Sequence, residues 1–92
     1  MKTLIIVDVT VLNQVKLAEY SALAAETLKP FSGQFIAKGA IEAIHGEAEF
    51  QAKVVIEFPD KESAKNWYNS PEYQAIIPLR EQAITSQFHL IS

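Results

Sequence analysis

The sequence predicts an α+β fold in which a four-stranded antiparallel sheet carries its helices on one face. Short stretches rich in Val, Ile and Phe have the length and composition of strands, and they alternate with two stretches whose apolar residues recur at helical spacing. Their order along the chain is β-α-β-β-α-β. A split pair of βαβ units in this order closes into such a sheet. With 92 residues, the chain has room for one domain over 1–92 and no second.

The first strand and helix are the most clearly marked elements. Thr3–Val11 is almost continuously apolar, so we expect a strand with both faces covered. Asn13 is a good helix N-cap because its side-chain oxygen can accept from a free backbone N–H of the first turn. The helical stripe that follows consists of Leu17, Tyr20, Ala24 and Leu28. Pro30 is expected to end this helix.

The middle of the chain predicts a second strand, a hairpin and a third strand. The second strand is expected over residues 33–38, with Gly39 breaking it. Residues 41–44 predict a short extended piece, His45 and Gly46 a turn, and 47–50 a polar tip. Residues 53–58 predict the third strand, which Pro59 ends.

The second helical region is interrupted by prolines. Asp60 is expected to open a helix that runs until Ser70 and Pro71 interrupt it. A further helical piece contains Tyr73, and Pro78 is expected to kink or restart it. Residues 85–91 predict the last strand.

Composition excludes several classes of protein. Hydrophobic residues make up 49% of the chain and charged residues 21%, which is typical of a globular domain and not of a disordered one. The net charge of −3, with no basic run, argues against nucleic acid or an anionic membrane as partner. Without cysteine there are no disulfides, thiolate nucleophiles or cysteine-based metal sites. No apolar segment is long enough to span a bilayer, so we expect a cytoplasmic protein.

Strand parity predicts which sheet face the helices cover. Side chains alternate across a strand, so residues of one parity share a face. The wholly apolar set, expected to face the helices, is Ile5, Val7, Val9, Val54, Ile56, Phe58, Phe88 and Leu90. The mixed set is Leu4, Ile6, Asp8, Thr10, Val55, Glu57, Gln87, His89 and Ile91. A half-apolar face with no helix to cover it argues for a partner, and the simplest partner is a second copy of the chain in a two-fold homodimer.

Several motifs resemble those of the family known as domain of unknown function 1330. They are Val55-Ile56-Glu57-Phe58-Pro59, Ala64, Trp67-Tyr68, Ser70-Pro71-Glu72-Tyr73-Gln74 and Pro78-Leu79-Arg80, with Val7-Asp8-Val9, Glu19-Tyr20 and Gly33-Gln34-Phe35 upstream. The resemblance implies a ferredoxin-like subunit of the dimeric α+β barrel superfamily, in which two sheets pack face to face. That superfamily includes cofactor-independent monooxygenases, lactone isomerases, haem-containing relatives and plain binding modules. The resemblance therefore implies no single activity and transfers no catalytic residue.

Three polar residues of the mixed face are the candidates for catalysis. His89 shares that face with Asp8 and Glu57, and a histidine oriented by a carboxylate is a competent general base near neutral pH. One of the carboxylates could instead act as an acid. The structural alternatives are a hydrogen-bonded interface histidine, and carboxylates paired with Lys38, Lys53 or the other subunit.

The candidates for ligand binding cluster around the broken second helix. Tyr68, Tyr73 and Arg80 could bind a carboxylate or a phenolate through phenol and guanidinium donors. Alternatively Tyr73 packs in the core and Arg80 pairs with a glutamate or a partner subunit. His45 has no nearby His or Cys and is interpreted as a solvated turn residue, so no metal site is predicted.

The sequence thus predicts a homodimer that binds a small aromatic or carboxylated ligand in a largely apolar pocket between sheet and helices. A catalytic version would be a cofactor-independent monooxygenase or isomerase, with His89 as base and Asp8 or Glu57 orienting it. The alternative is a non-catalytic binding or stress-associated module. No cofactor is expected.

Overall fold

The predicted order of elements is confirmed, with the second helical region divided in two. The computed structural model describes residues 2–92. Its elements are β1 (Thr3–Val11), α1 (Gln14–Leu28), a 3-10 turn (Lys29–Phe31), β2 (Gln34–Ala40), β3 (Ala52–Phe58), α2 (Lys61–Tyr68), α3 (Pro71–Ala83) and β4 (Ile84–Ile91). In this part of the chain no helix is long and apolar enough to cross a membrane.

The four strands form one antiparallel sheet in the order β2-β3-β1-β4. At the centre of the sheet Ile5 lies opposite Ile56 on β3 and Leu90 on β4. Residues directly opposite each other point to the same face, so the apolar residues of all three strands share one face of the sheet. Ile5 and Val7 are each only 4% exposed beneath the helices. The predicted helix-facing side of the sheet is therefore confirmed, and the mixed face is left open.

Local interactions explain where α1 begins and why a glycine follows it. Asn13 Oδ1 accepts a hydrogen bond from the Lys16 backbone N–H at 3.0 Å, as the N-cap interpretation requires. Gly33 begins the return to the sheet where space is short. A Cβ there would lie 2.6 Å from the Phe58 ring and 2.8 Å from Leu28, so only glycine fits without displacing core side chains.

The prediction that Gly39 breaks the second strand is wrong. β2 continues to Ala40, and Gly39 pairs with Lys53 of β3. Nothing lies within 4 Å of a Cβ built on Gly39, so the glycine reflects no steric need there. The ladder gives it a partner, and pairing outweighs the low strand propensity of one glycine.

The extended piece predicted for residues 41–44 does not form as a strand. The Ile41 N–H still donates to the Gln51 carbonyl at 2.9 Å, but β3 begins only at Ala52, so the residues between them have no ladder to join. Ile44 is 97% exposed, which shows that its apolar spacing marks no buried face. His45 and Gly46 do lie at a bend of this loop, and Gly46 has φ +84°.

Prolines divide the second helical region at one point and not at the other. Ser70 caps α3 and Pro71 occupies its first turn, where a missing N–H costs nothing. Pro78, expected to kink or restart the helix, lies inside the 13-residue α3 without ending it. Pro78 and Gln74, whose carbonyl loses its helical donor, are both exposed, so water can satisfy that carbonyl.

The core lies between the sheet and the helices. Its largest fully buried side chains are Trp67, Tyr73, Phe58, Leu28 and Thr3. Trp67 and Tyr73 are 4.3 Å apart between ring centroids, and Phe58 packs on Trp67 at 5.5 Å. This aromatic core holds the polar side chains of the helical layer in place.

Candidate functional site

Three phenols and one guanidinium meet inside the helical layer. The Tyr20 and Tyr73 hydroxyl oxygens are 2.6 Å apart. Arg80 Nη1 donates to the hydroxyls of Tyr68 at 3.0 Å and Tyr73 at 3.1 Å. We call Tyr20, Tyr68, Tyr73 and Arg80 the phenol–guanidinium cluster; it links α1, α2 and α3.

Hydrogen bonds at the ends of the helices hold the aromatic rings in position. Ser70 Oγ donates to the Trp67 carbonyl at 2.7 Å and accepts from the Tyr73 N–H at 3.2 Å, which joins the end of α2 to the start of α3. Trp67 Nε1 donates to Thr27 Oγ1 at 2.9 Å, and Thr27 in turn donates to the Ala24 carbonyl at 2.7 Å. The Ser-Pro break in the sequence thus places Trp67 and Tyr73 on either side of one cap.

Arg80 is a buried cation whose nearest carboxylate lies within ion-pair distance but beyond hydrogen-bond distance. Its side chain is 10% exposed, and the nearest carboxylate among residues 2–92 is that of Glu81, 3.7 Å from Nε and largely exposed. Nε itself is buried and makes no hydrogen bond in this part of the chain. The guanidinium lies 4.9 Å from the centroid of the Phe88 ring, so aromatic faces supply part of its stabilisation.

The cluster keeps its protonation state at neutral pH. Burial opposes the charged form of Arg80, but the hydrogen bonds to Tyr68 and Tyr73 outweigh it and raise the pKa of the guanidinium. Burial raises the pKa of Tyr20, and the neighbouring Tyr73 raises it further. Burial also raises the pKa of Tyr73, against the opposing effect of its bonds to Tyr20 and Arg80. At neutral pH Arg80 is therefore a cation, and Tyr20 and Tyr73 are neutral O–H groups.

A large cavity lies between α1 and the sheet. This first cavity has a volume of about 640 Å³. Most of its lining is aliphatic or aromatic, contributed by β1, β3 and the small residues of α1. Tyr20 and Trp67 line it at the side of the phenol–guanidinium cluster, and Lys38 of β2 lines it from the edge strand. It matches the apolar pocket between sheet and helices that the sequence predicts.

A second cavity lies against β4 and the end of α2. Its volume is about 450 Å³. The polar residues that line it are Lys65, Tyr68, Asn69, Arg80, Ser86 and His89. Among residues 2–92 no carboxylate lines this cavity, so the charged groups that line it are basic.

The structure brings the three expected ligand-binding residues together. Tyr68 and Arg80 border the second cavity, while Tyr73 is fully buried between the two cavities and lines neither. The alternative to ligand binding is that Tyr73 packs in the core and Arg80 pairs with a glutamate. Both features are present as well, because Tyr73 is fully buried and Arg80 Nε lies 3.7 Å from Glu81.

The three expected catalytic residues share the open face but do not form a hydrogen-bonded set. Asp8 is bound to Lys53, which is one of the pairings expected if the carboxylates have a structural role and not a catalytic one. Glu57 accepts from Gln34 Nε2 at 3.3 Å and lies 3.2 Å from Lys2 Nζ.

His89 lies across from Ile6, at a different level of the sheet from either carboxylate. Asp8 is opposite Lys53, four residues along β3 from Glu57, which separates the two by about 13 Å. His45 lies in the exposed loop, and no group of three or more metal-ligating side chains occurs in residues 2–92.

Sequence reasoning missed Tyr20 as a polar residue and assigned it to the core. It is buried, but its hydroxyl contacts Tyr73, which is 53 positions away in the chain. No local spacing signals such a contact. The one available signal was a tyrosine among small alanines in the α1 stripe, where its hydroxyl needs a partner.

Comparison with known proteins identifies the family. The DUF1330 family, described as a domain of unknown function, matches residues 2–92. The chain belongs to this family. No functionally curated protein matches the chain.

Solved structures share the fold at low sequence identity. A protein of unknown function from Rhodopseudomonas palustris is 13% identical with a TM-score of 0.78, covering 98% of this chain and 80% of its own. SnoaB, a cofactor-independent oxygenase from Streptomyces nogalater, is 12% identical with a TM-score of 0.72, covering 99% and 91%. A dimeric ferredoxin-like protein of unknown function from Thermobifida fusca is 10% identical with a TM-score of 0.64, covering 100% and 91%. DUF1330 membership and the ferredoxin-like fold expected from the sequence are both confirmed.

Proposed function

We propose that this protein is a homodimer that binds a small, largely apolar organic molecule in the first cavity. The observation that carries the proposal is the cavity itself. At about 640 Å³ it falls within the roughly 300–1,000 Å³ of ordinary small-molecule pockets. An aliphatic and aromatic lining with a few polar groups is typical of such pockets. A compact aromatic molecule fits this lining best.

For a ligand that carries a carboxylate, we propose Arg80, Tyr68 and Tyr73 as the binding residues. Arg80 lines the second cavity, and the buried guanidinium has no carboxylate within hydrogen-bond distance among residues 2–92. Lys65 lines the same cavity and adds positive charge. A buried cation is costly without an anionic partner, so an organic acid would gain a charge-assisted hydrogen bond there. Tyr73 does not line this cavity, and its hydroxyl would orient the guanidinium through the hydrogen bond that it accepts from Arg80 Nη1.

We propose the open sheet face as the homodimer interface. Its charged groups are already neutralised within the subunit, since Asp8 is bound to Lys53 and Glu57 to Lys2. Packing two such faces would therefore bury paired charges together with Leu4, Ile6 and their apolar neighbours, which costs far less than burying lone charges. The ferredoxin-like neighbour from Thermobifida fusca is a dimer, which supports a dimeric state for this chain.

A catalytic role for His89, Asp8 and Glu57 is part of the same proposal. SnoaB supports it only as a cofactor-independent oxygenase of the same fold. All three residues lie on the open face, away from the first cavity, and only His89 also lines the second. Acting together, they would therefore act on a molecule held between the two sheets of the dimer. Conversion of that molecule into a product would distinguish an enzyme from a binding module. The cytoplasmic location stays a prediction.

The test of ligand binding uses a variant that fills the first cavity. Ala25 of α1 lines it, whereas Ala18 of the same helix is exposed and does not. We expect the wild type and Ala18→Phe to enhance the fluorescence of 1-anilinonaphthalene-8-sulfonate with saturation, and Ala25→Phe to lose most of that response. Equal binding by all three proteins would exclude the first cavity as the site.

Native mass spectrometry of the freshly purified protein complements this measurement. A dimer that carries an extra small-molecule mass, absent from Ala25→Phe, would support the proposal and give the mass of the ligand. A wild-type monomer would exclude the face-to-face dimer. Incubating a bound molecule in air and finding a changed mass would support an enzyme; an unchanged mass would support a binding module.

A further inference from the structure

The direction of the hydrogen bonds in the phenol–guanidinium cluster determines what the first cavity presents to a ligand. A guanidinium has only donors, so the Tyr73 oxygen must accept the bond from Arg80 Nη1 at 3.1 Å. The Tyr73 proton then has to find an acceptor elsewhere. The Tyr20 oxygen, at 2.6 Å, is the one acceptor the structure offers it within residues 2–92.

The opposite direction leaves a buried donor unsatisfied. If Tyr20 donated to Tyr73, the Tyr73 oxygen would accept twice and its own proton would have no acceptor within residues 2–92. Tyr73 is fully buried and lines neither cavity, so neither water nor a ligand reaches it there. Unsatisfied buried donors are rare because they lose their hydration without compensation. Tyr73 therefore donates to Tyr20.

We propose that Tyr20 directs its hydroxyl proton into the first cavity and selects ligands with an acceptor oxygen. In residues 2–92 the Tyr20 hydroxyl makes no hydrogen bond other than the one with Tyr73, and Tyr20 lines the cavity. Its oxygen accepts from Tyr73, so its own proton is free to donate. The cavity is thus a largely apolar site in which Tyr20 is the donor held by a buried hydrogen-bond chain. Lys38, Gln51 and Lys53 also line it, but they are exposed to solvent.

The positive charge of Arg80 strengthens this donor. In a chain from Arg80 to Tyr73 to Tyr20, each bond polarises the next, and the effect grows in a buried environment. Arg80 and Tyr73 are positioning residues here, because they act through Tyr20 and not on the ligand. The chemical class that fits is an apolar aromatic or alicyclic molecule with an acceptor oxygen, such as that of a ketone, at one edge.

The inference rests on the proposed function, and a matched pair of probes separates the two. Indane and 1-indanone share one flat body and differ in a carbonyl oxygen. Binding of each to the wild type and to Tyr20→Phe is measured by protein NMR titration. Tyr20→Phe keeps the ring that lines the cavity and removes the hydroxyl, which is both the donor to the ligand and the acceptor of the Tyr73 proton. Indane therefore serves as the control for any rearrangement that the loss of this acceptor causes.

We expect Tyr20→Phe to weaken 1-indanone binding about tenfold, because the buried carbonyl loses its partner. Indane binding is expected to stay within a factor of about two, which controls for damage to the cavity. An equal loss for both probes, or no loss for 1-indanone, would overturn the role of Tyr20 while leaving the cavity as a site. If neither probe binds the wild type, the proposed function and this inference both fail.

Discussion

At the residue scale, the unusual feature of this protein is a cation held in the core by neutral phenols. Arg80 donates through Nη1 to both Tyr68 and Tyr73, and its nearest carboxylate is 3.7 Å from Nε. Phenols tolerate burial better than carboxylates because they carry no charge to desolvate. The arrangement keeps Arg80 charged and leaves it without a strong ion pair. An anionic ligand would therefore form a charge-assisted hydrogen bond with the guanidinium.

The buried phenols should make the fold sensitive to alkaline pH. The folded-state pKa values of Tyr20 and Tyr73 are raised by burial above the value of about 10 in the unfolded chain. Such groups contribute stability that is fully present below about pH 10 and is lost as the pH rises further. Urea unfolding between pH 8 and 11 should show the unfolding free energy falling less steeply in Tyr20→Phe than in the wild type. Parallel curves for the two proteins would contradict the assignment.

At the element scale, the join between α2 and α3 does more than connect two helices. Ser70 bonds to the last turn of α2 through the Trp67 carbonyl and to the first turn of α3 through the Tyr73 N–H. Pro71 fixes the backbone at the first position of α3, where helices favour it. One residue therefore sets the relative placement of the two largest core rings.

Removing the Ser70 hydroxyl should destabilise the protein measurably. Ser70 is 5% exposed, and Ser70→Ala leaves the Tyr73 N–H without its cap. We expect the free energy of unfolding to fall by about 1–2 kcal/mol, measured by urea denaturation. Ser21→Ala in α1 is the matched control, because the Ser21 hydroxyl makes no hydrogen bond within residues 2–92; its effect should be below about 0.5 kcal/mol. A loss no greater than that of the control would mean that Pro71 and the packing define the join.

At the scale of the whole molecule, the two faces of the sheet have different roles. One face is covered by three helices and contains the core. The other is open and mixes half-buried Leu4, Ile6 and Val55 with charge pairs formed inside the subunit. A second copy of the same face would cover it without leaving any of those charges alone.

A charge at the centre of the open face should separate the subunits. Ile6 lies opposite Val55 and His89 in the middle of that face, so Ile6→Lys would place an unpaired ammonium in the dimer interface. We expect light scattering after gel filtration to give a dimer for the wild type and a folded monomer, with unchanged circular dichroism, for Ile6→Lys. Val15→Lys, at a position of α1 that is 71% exposed, should remain a dimer. If Ile6→Lys stays dimeric, the subunits associate through another surface.

Local patterns were sufficient for most of the fold. The apolar run of β1, the Asn13 and Asp60 caps, and the Ser-Pro pair each predict an element from a few neighbouring residues, and each element is confirmed. The expectation that both faces of β1 are covered is not met within the subunit, because alternate residues such as Leu4 and Ile6 are only half-buried. The two errors in the strands, at Gly39 and at 41–44, come from pairing. Whether a residue joins a strand depends on a partner across the ladder, and the start of β3 is not visible in the residues of β2.

The sequence by itself determined the fold class, the family and which sheet face is left open, because these follow from periodicity and from motifs of adjacent residues. It also singled out Tyr68, Tyr73 and Arg80, which lie close together along two consecutive helices. Only the tertiary structure showed that Tyr20 contacts Tyr73, that Asp8 is bound to Lys53 and that a cavity forms between α1 and the sheet. These contacts join residues 40 or more positions apart, and they depend on how α1 packs over the sheet and on strand register, which no local pattern encodes.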